Sequence, residues 1–314
     1  MFEESAQSAN AFDNFDYLWE ECHGKYAFFA YKDIDWEQVK QKYRPMLYED
    51  MSRDSLFHVL AAMLDELRDD HVNLVSDFNL SFYGNYRRGQ DNFDWRILSD
   101  NYLPENYYKS GPFVHDFIAG DSIAYVRLAS FPGSISDNNL NFVLGRYSQT
   151  KGLVLDIREN GGGSISDIYD LLGRFVSERT LLYYSQIKNG SGKDDFSEKM
   201  PVYLQPDDGE SYENTICLLT DRGSYSASSF TALACRAISN VVIVGDTTGG
   251  GLGIPNGGQL PNGWTYRFSV TRTLSPQGEN FESGVPPDIT VLFDWDNRDT
   301  DEVVERAIQE INTR

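Results

Sequence analysis

From about residue 120 onward the chain alternates short apolar runs with amphipathic ones, and this alternation narrows the possible folds more than any other feature. SIAYVRL, GLVLDIR, TICLLT and NVVIVGD are brief and apolar through their middles, as strands buried on both faces are. Between them, NNLNFVLGRY, SISDIYDLLGRFV and ASSFTALACRAI repeat apolar residues at helical spacing. Strands and helices in that succession build a mostly parallel sheet with covered faces, so residues 122–314 are expected to form an α/β core. LLYYSQIK reads as one more strand, WTYRFSVTRTL and DITVLF as a pair closing the core, and DEVVERAIQEI as a terminal helix.

The first 70 residues follow a different pattern and are expected to form an N-terminal helical subdomain. After a loose lead over residues 1 to about 10, FDNFDYLWEECHGKY gives a first helix. DWEQVKQKYRPML gives a second that ends around Pro45. In SRDSLFHVLAAMLDELRDD, residues Leu56, Val59, Leu60, Met63, Leu64 and Leu67 share one face, and Ser52 or Asp54 can cap the start. Val72, Leu74 and Val75 then alternate as a strand and open a β-rich connecting region with long loops, residues 71–121.

Forty-eight acidic against 27 basic residues leave a formal charge of −21, a field that repels phosphate backbones and argues against a nucleic-acid partner. No apolar run approaches the roughly 18 residues of a membrane-spanning helix, so no integral span is expected. Cys22, Cys217 and Cys235 lie in apolar contexts and form no C-x-x-C pair, as small buried thiols do. Neither zinc-type spacing nor a phosphate-loop motif occurs, and no metal or cofactor is expected. The opening MFEESAQSANAFDNFDY lacks a basic segment followed by an apolar one, the mark of a signal peptide.

Two strand-to-helix junctions could carry chemistry. In LVLDIRENGGGSISDIYDLL a buried strand runs into Gly161, Gly162 and Gly163 before a helix begins. Glycines let a backbone come close to a ligand, and a helix N-terminus favours negative charge, so either a phosphate or an oxyanion would suit the turn. In TICLLTDRGSYSASSFTALACRAI a second strand turns at Gly223 and passes four serines, Ser224, Ser226, Ser228 and Ser229, into a second helix. Serine is also a common helix cap, which is the default reading of any one of the four taken alone.

Taken together, D-I-R-E-N-G-G-G and G-S-Y-S-A-S-S resemble the S41 family of serine peptidases, which includes the C-terminal processing proteases and the tricorn protease core. GDTTGGGLG resembles that family's glycine-rich segment after the nucleophile helix, and ESGVPPDI its closing motif. The four follow in the family's order. The resemblance implies a crotonase-like (ClpP/crotonase-type) core and a peptidase acting on peptide or protein substrates without a cofactor. It makes Ser226 the nucleophile and the Ala227 N–H one oxyanion donor, with Gly161 or Gly162 as the other.

The tail-specific members use a lysine base, but no lysine follows Lys199 in this chain. Ser185 and Lys188 have a dyad-like spacing, yet LYYSQIK alternates as a strand and turns them to opposite sides. The tricorn-like branch uses histidine, and LRDDHVNL is similar to the segment that supplies it, making His71 the expected general base. The same resemblance assigns the acid that orients His71 to Asp70 or Glu282. The 50 residues between His71 and Ser122 have no PDZ-like pattern, unlike tail-specific members, and place the chain with the PDZ-less members. Chains of that compact type resemble bacterial envelope proteins, periplasmic or lipoprotein. A catalytically silent peptide- or lipid-binding protein on the same fold is the alternative; a carrier would have no use for a histidine facing Ser226.

Overall fold

Asn10 opens the first helix by accepting the Phe12 N–H, and α1 then runs Ala11–Lys25. Asp35 does the same for α2 (Trp36–Tyr43), which passes into one 3-10 turn at Pro45. Ser52 rather than Asp54 caps α3 (Arg53–Asp65), accepting the Ser55 N–H. Trp19 and Trp36 lock the first two helices by donating their indole N–H groups to each other's carbonyls, both at 3.0 Å. Strands β1 (Asn73–Val75) and β2 (Leu80–Phe82) follow.

Next come α4 (Trp95–Asn101), β3 (Tyr108–Ser110), β4 (Phe113–Ile118), β5 (Ile123–Leu128), α5 (Asp137–Arg146) and β6 (Gly152–Asp156). They continue through α6 (Ser166–Leu172), β7 (Thr180–Ile187), β8 (Met200–Leu204), β9 (Thr215–Thr220), α7 (Ala227–Cys235) and β10 (Val241–Gly245). The chain finishes with β11 (Pro255–Gln259), β12 (Thr265–Ser269), β13 (Thr271–Leu274), β14 (Ile289–Thr290) and α8 (Glu302–Thr313).

The computed structural model describes residues 10–84 and 89–314, and their contacts divide into two units. The first unit takes the described residues of 1–85 with 185–200 and 253–273. Its antiparallel sheet, ordered β11-β12-β1-β2, shares one core with the three helices, including Phe15, Leu18, Leu60, Met63, Trp264 and Phe268. The second unit takes the described residues of 86–184 with 201–252 and 274–314. Its seven-stranded sheet is ordered β14-β10-β9-β6-β5-β4-β3, with parallel pairing from β14 through β5 and antiparallel pairing beyond. Two apolar clusters cover that sheet, one including α5, α6 and α7 and the other including α8.

This division differs from the contiguous segments 1–70, 71–121 and 122–314. Pairing of β12 with β1, Leu74 opposite Tyr266, draws a late segment back to the early helices. The connecting region is also divided: β1 and β2 join the helices, whereas α4, β3 and β4 belong to the second unit. WTYRFSVTRTL is two strands, not one, and it does not pair with DITVLF. β12 lies between β1 and β11, and β14 adds in parallel to β10. The strand at PNGGQ has poor β propensity but lies at a sheet edge with Pro255 as its first residue, where proline is tolerated. The loose lead expected at residues 1–9, and residues 85–88 of the expected connecting region, lie outside the described residues.

Candidate active site

In the second unit, β6 and β9 are adjacent and parallel, with Asp156 opposite Leu219, and β9 pairs in parallel with β10. Parallel neighbours deliver the loops at their carboxyl ends to the same edge of the sheet, where open α/β folds place their sites. Here those loops are the glycine turn after β6, the serine corner after β9 and the glycine-rich segment after β10. Backbone bonds tie the last two: Gly249 N–H to Ser224 O at 2.8 Å, and Ser226 N–H to Gly250 O at 2.9 Å.

The serine corner separates the four serines by environment. Ser224, Ser228 and Ser229 are buried, with hydroxyls bonded to Ile157 O (2.8 Å), Asn160 O (2.7 Å) and Thr248 Oγ1 (2.9 Å) respectively. Ser226, between buried Tyr225 and Ala227, retains exposure. Its backbone takes φ +55 and ψ −118, a conformation that costs a non-glycine residue energy and is typical of a strained strand-to-helix turn presenting a nucleophile. Ala227 is the first residue of α7, so its N–H is one of the donors a helix leaves unpaired at its start.

The glycine turn packs directly on this corner. A Cβ added to Gly162, which has φ +98, would lie 2.7 Å from Tyr225 O, 2.8 Å from Ser226 Cβ and 2.9 Å from Ala227 N. Only glycine permits that approach. The Gly162 N–H is taken by Asn160 Oδ1 at 2.9 Å, and Asn160 also receives the Tyr225 N–H on its carbonyl at 3.0 Å. Behind the turn, the fully buried Arg158 forks between Asp156 and Asp301 with contacts of 2.7 and 2.9 Å. That triad neutralises a charge the sheet interior could not otherwise hold.

Glu282 is buried, and its Oε2 accepts the Leu252 N–H at 2.7 Å while its carbonyl accepts the Gly251 N–H at 3.1 Å. A Cβ on Gly250 would lie 2.0 Å from that carbonyl, so the glycine-rich segment is shaped by close backbone approach.

His71 and Asp70 belong to the first unit, between α3 and β1. His71 is buried and Asp70 half-buried. The acid that holds this segment is Asp69, which sequence reasoning missed. Its Oδ1 accepts the His71 N–H at 2.9 Å. Its Oδ2 accepts the Tyr26 hydroxyl at 3.0 Å and the Ser269 hydroxyl at 2.9 Å, and Lys32 Nζ lies 3.6 Å away. Burial pushes the Asp69 carboxyl up, but Lys32, His71 and these hydrogen bonds outweigh it and hold the group below its usual range. Burial lowers the His71 imidazole, and Arg267 and Lys32 add to this while Asp69 opposes it. A neutral imidazole at neutral pH follows. The signal for Asp69 was local: an aspartate two residues before an N–H it can accept is an Asx turn.

The other histidines have structural surroundings. His58 is exposed and bonded to the Asp54 carbonyl, and His23 lies near Glu37. His115 sits between the Tyr147 and Ser110 hydroxyls, its pKa lowered by burial to about 4. All three cysteines are buried thiols without a disulfide. Among the described residues, no group of three or more metal-binding side chains occurs and no helix is long and apolar enough to cross a membrane.

A mostly parallel sheet that brings a strained serine corner against a glycine turn is the architecture of a serine hydrolase. The chain belongs to peptidase family S41, whose model matches residues 122–291. The tricorn protease C1 domain model matches residues 9–65, the segment of the N-terminal helices. The carboxy-terminal processing protease CtpB of Bacillus subtilis (strain 168) is 24% identical over 55% of this chain and 35% of its own length. For CtpA of the same organism the figures are 24%, 65% and 41%. The chain thus matches about a third to two fifths of the length of these relatives. The crystal structure of a candidate peptidase from Parabacteroides merdae ATCC 43184 is 36% identical with a TM-score of 0.90, covering 97% of each chain. Mature CPAF shares the fold at 13% identity and a TM-score of 0.71, over 97% of this chain and 98% of that one.

Proposed function

We propose that the protein is a serine peptidase that hydrolyses peptide bonds in peptide or protein substrates, with Ser226 as nucleophile and His71 as general base. The conformation of Ser226 carries this reading, because a strained serine packed against a glycine turn has no structural purpose in a helix cap. Ser226 Oγ attacks the scissile carbonyl carbon as His71 takes the hydroxyl proton. The oxyanion is held by N–H groups that need no rearrangement during the reaction. Ala227 supplies one; with Gly162 bonded to Asn160, Gly161 is the donor from the turn. Collapse breaks the C–N bond, the leaving amine takes the proton from His71, and water then hydrolyses the acyl-enzyme by the reverse path.

His71 is supported as base by its neutral state and by the absence of any lysine after Lys199. In this reading Asp70 or Glu282 is the acid that orients its ring, and Asp69 fixes its backbone. The second unit is a crotonase-like core, and the protein works in the bacterial cell envelope, a reading in keeping with its bacterial relatives. Digestion of an unstructured protein such as β-casein, with fragments identified by mass spectrometry, tests the proposal. Wild type is expected to yield fragments, and Ser226→Ala and His71→Ala to yield none. Cleavage by Ser226→Ala at the wild-type rate would refute it, and an inert, folded wild type would favour the silent binding protein.

A further inference from the structure

We propose that Asp221 is a positioning residue of the serine site: its carboxylate fastens the turn carrying Ser226 to the turn carrying the oxyanion donor, and so keeps the two in register. This rests on the reading of Ser226 as nucleophile. Asp221 directly follows β9 and is buried. Its Oδ1 accepts the Glu159 N–H at 2.9 Å, from the glycine turn, and the Ser224 N–H at 2.9 Å, from the serine corner; Ser224 Oγ lies 3.1 Å away. One oxygen atom therefore joins both loops.

The two loops it joins each carry a strained residue. Glu159 has φ +61 and Ser226 φ +55, both costly for residues other than glycine, so each must be held by its surroundings. Gly223 brings the backbones together beside the carboxylate, since a Cβ there would lie 2.7 Å from Glu159 Cα. A second tie runs through Asn160, whose carbonyl accepts the Tyr225 N–H and the Ser228 hydroxyl. That tie is neutral, whereas Asp221 is ionisable.

The ionisable choice is notable, because Oδ2 is buried without a hydrogen-bond partner among the described residues. An asparagine would offer the same Oδ1 acceptor. A carboxylate makes the stronger bond to an N–H, and here the bond is what opposes the strain. Burial raises the Asp221 carboxyl to about 6. Of the charges facing it, Arg158 favours the ionised form, and Glu159 and Asp156 oppose it. The clamp is thus charged above about pH 6 and weakens below it.

Peptidase kinetics from pH 5 to 9 on wild type, Asp221→Ala, Asp221→Asn and Ser226→Ala test this. Oxyanion stabilisation acts in the transition state, so Asp221→Ala is expected to lower kcat about tenfold or more at pH 8 with KM within about twofold. Asp221→Asn should restore at least about half of that kcat, its amide oxygen taking over the Oδ1 contacts. It should also lose the component of the acid limb near pH 6 expected of wild type. An unchanged kcat in folded Asp221→Ala, an effect confined to KM, or an Asn profile superimposed on wild type would overturn the proposal. If the alanine variant does not fold, the asparagine pH profile decides alone. Full hydrolysis by Ser226→Ala would instead refute the reading of the site, an outcome distinct from failure of the clamp.

Discussion

Ser226 and His71 are held by different physics. Around Ser226 the constraint is mainly steric, with glycines at 162 and 223 letting two backbones touch and a residue at φ +55 fixed between them. Around His71 the constraint is electrostatic: one buried carboxylate, Asp69, gathers an N–H, two hydroxyls and a lysine. A steric constraint fails when a single methyl group is added and is indifferent to pH. A charged one tolerates small changes of shape but fails when its charge is lost. Nucleophiles gain from the first kind, since their geometry must not vary, and a base gains from surroundings that set its proton affinity.

The sharpest way to break this contrast is Gly162→Ala. The new Cβ meets two backbone atoms and Ser226 Cβ below 3 Å, so the turn must move. Casein hydrolysis is expected to fall about 100-fold or more, the usual cost of a lost oxyanion donor, because the movement displaces the neighbouring Gly161 N–H. A smaller loss in kcat would mean that the turn yields without disturbing the site. Asp69→Ala is the counterpart in the other unit. It strips the acceptor from Tyr26, Ser269, Lys32 and the His71 N–H, and should cost about 3 kcal/mol in denaturant unfolding. An unchanged midpoint would show that the network is not what holds the segment.

Asp221 is where the two kinds of constraint meet, and its effect on stability carries a sign. Its folded pKa of about 6 lies above that of a free aspartate, so the folded state binds its proton more tightly than the unfolded chain. Stability from this group is therefore present at low pH and lost as pH rises from about 4 to 6. Asp221→Asn should consequently gain on wild type across that window, by a pH-dependent difference of about 3 kcal/mol. Unfolding curves at pH 4, 6 and 8 would show the difference flat if the carboxyl titrates normally. His71 has the opposite sign: its lowered folded pKa means that stability is lost as pH falls below 6.5. The smallest effect belongs to His58→Ala, expected within about 0.5 kcal/mol and without change in activity, as its side chain is exposed. A measurable loss of hydrolysis there would reopen the identity of the base.

Much of the serine corner was legible because its chemistry is sequential. β9, the turn at Gly223 and α7 are contiguous, and the alternation of strand and helix around them is local. β5, β6 and β10 were legible for the same reason. Asp69 leaves one local trace, its Asx turn with the His71 N–H, but its other partners Tyr26, Lys32 and Ser269 are far from it in the chain, so its role as the centre of a network is not legible locally. The return of residues 253–273 to the first unit depends on the pairing of β12 with β1, and residues 185–200 are tied to that segment by the Lys188 N–H to Val270 O bond, neither of which a local pattern encodes. Helix α4 lay in a polar, aromatic stretch with too short an apolar period to register.

The most direct test of the account is labelling with a fluorophosphonate probe, with the modified residue located by mass spectrometry in wild type, Ser226→Ala and His71→Ala. A single adduct on Ser226 is expected, with none in Ser226→Ala and labelling slowed at least about 100-fold in His71→Ala. The wild-type rate should hold down to pH 6.5 before it declines, because burial keeps His71 neutral. An adduct on another residue, or wild-type labelling in folded His71→Ala, would contradict it.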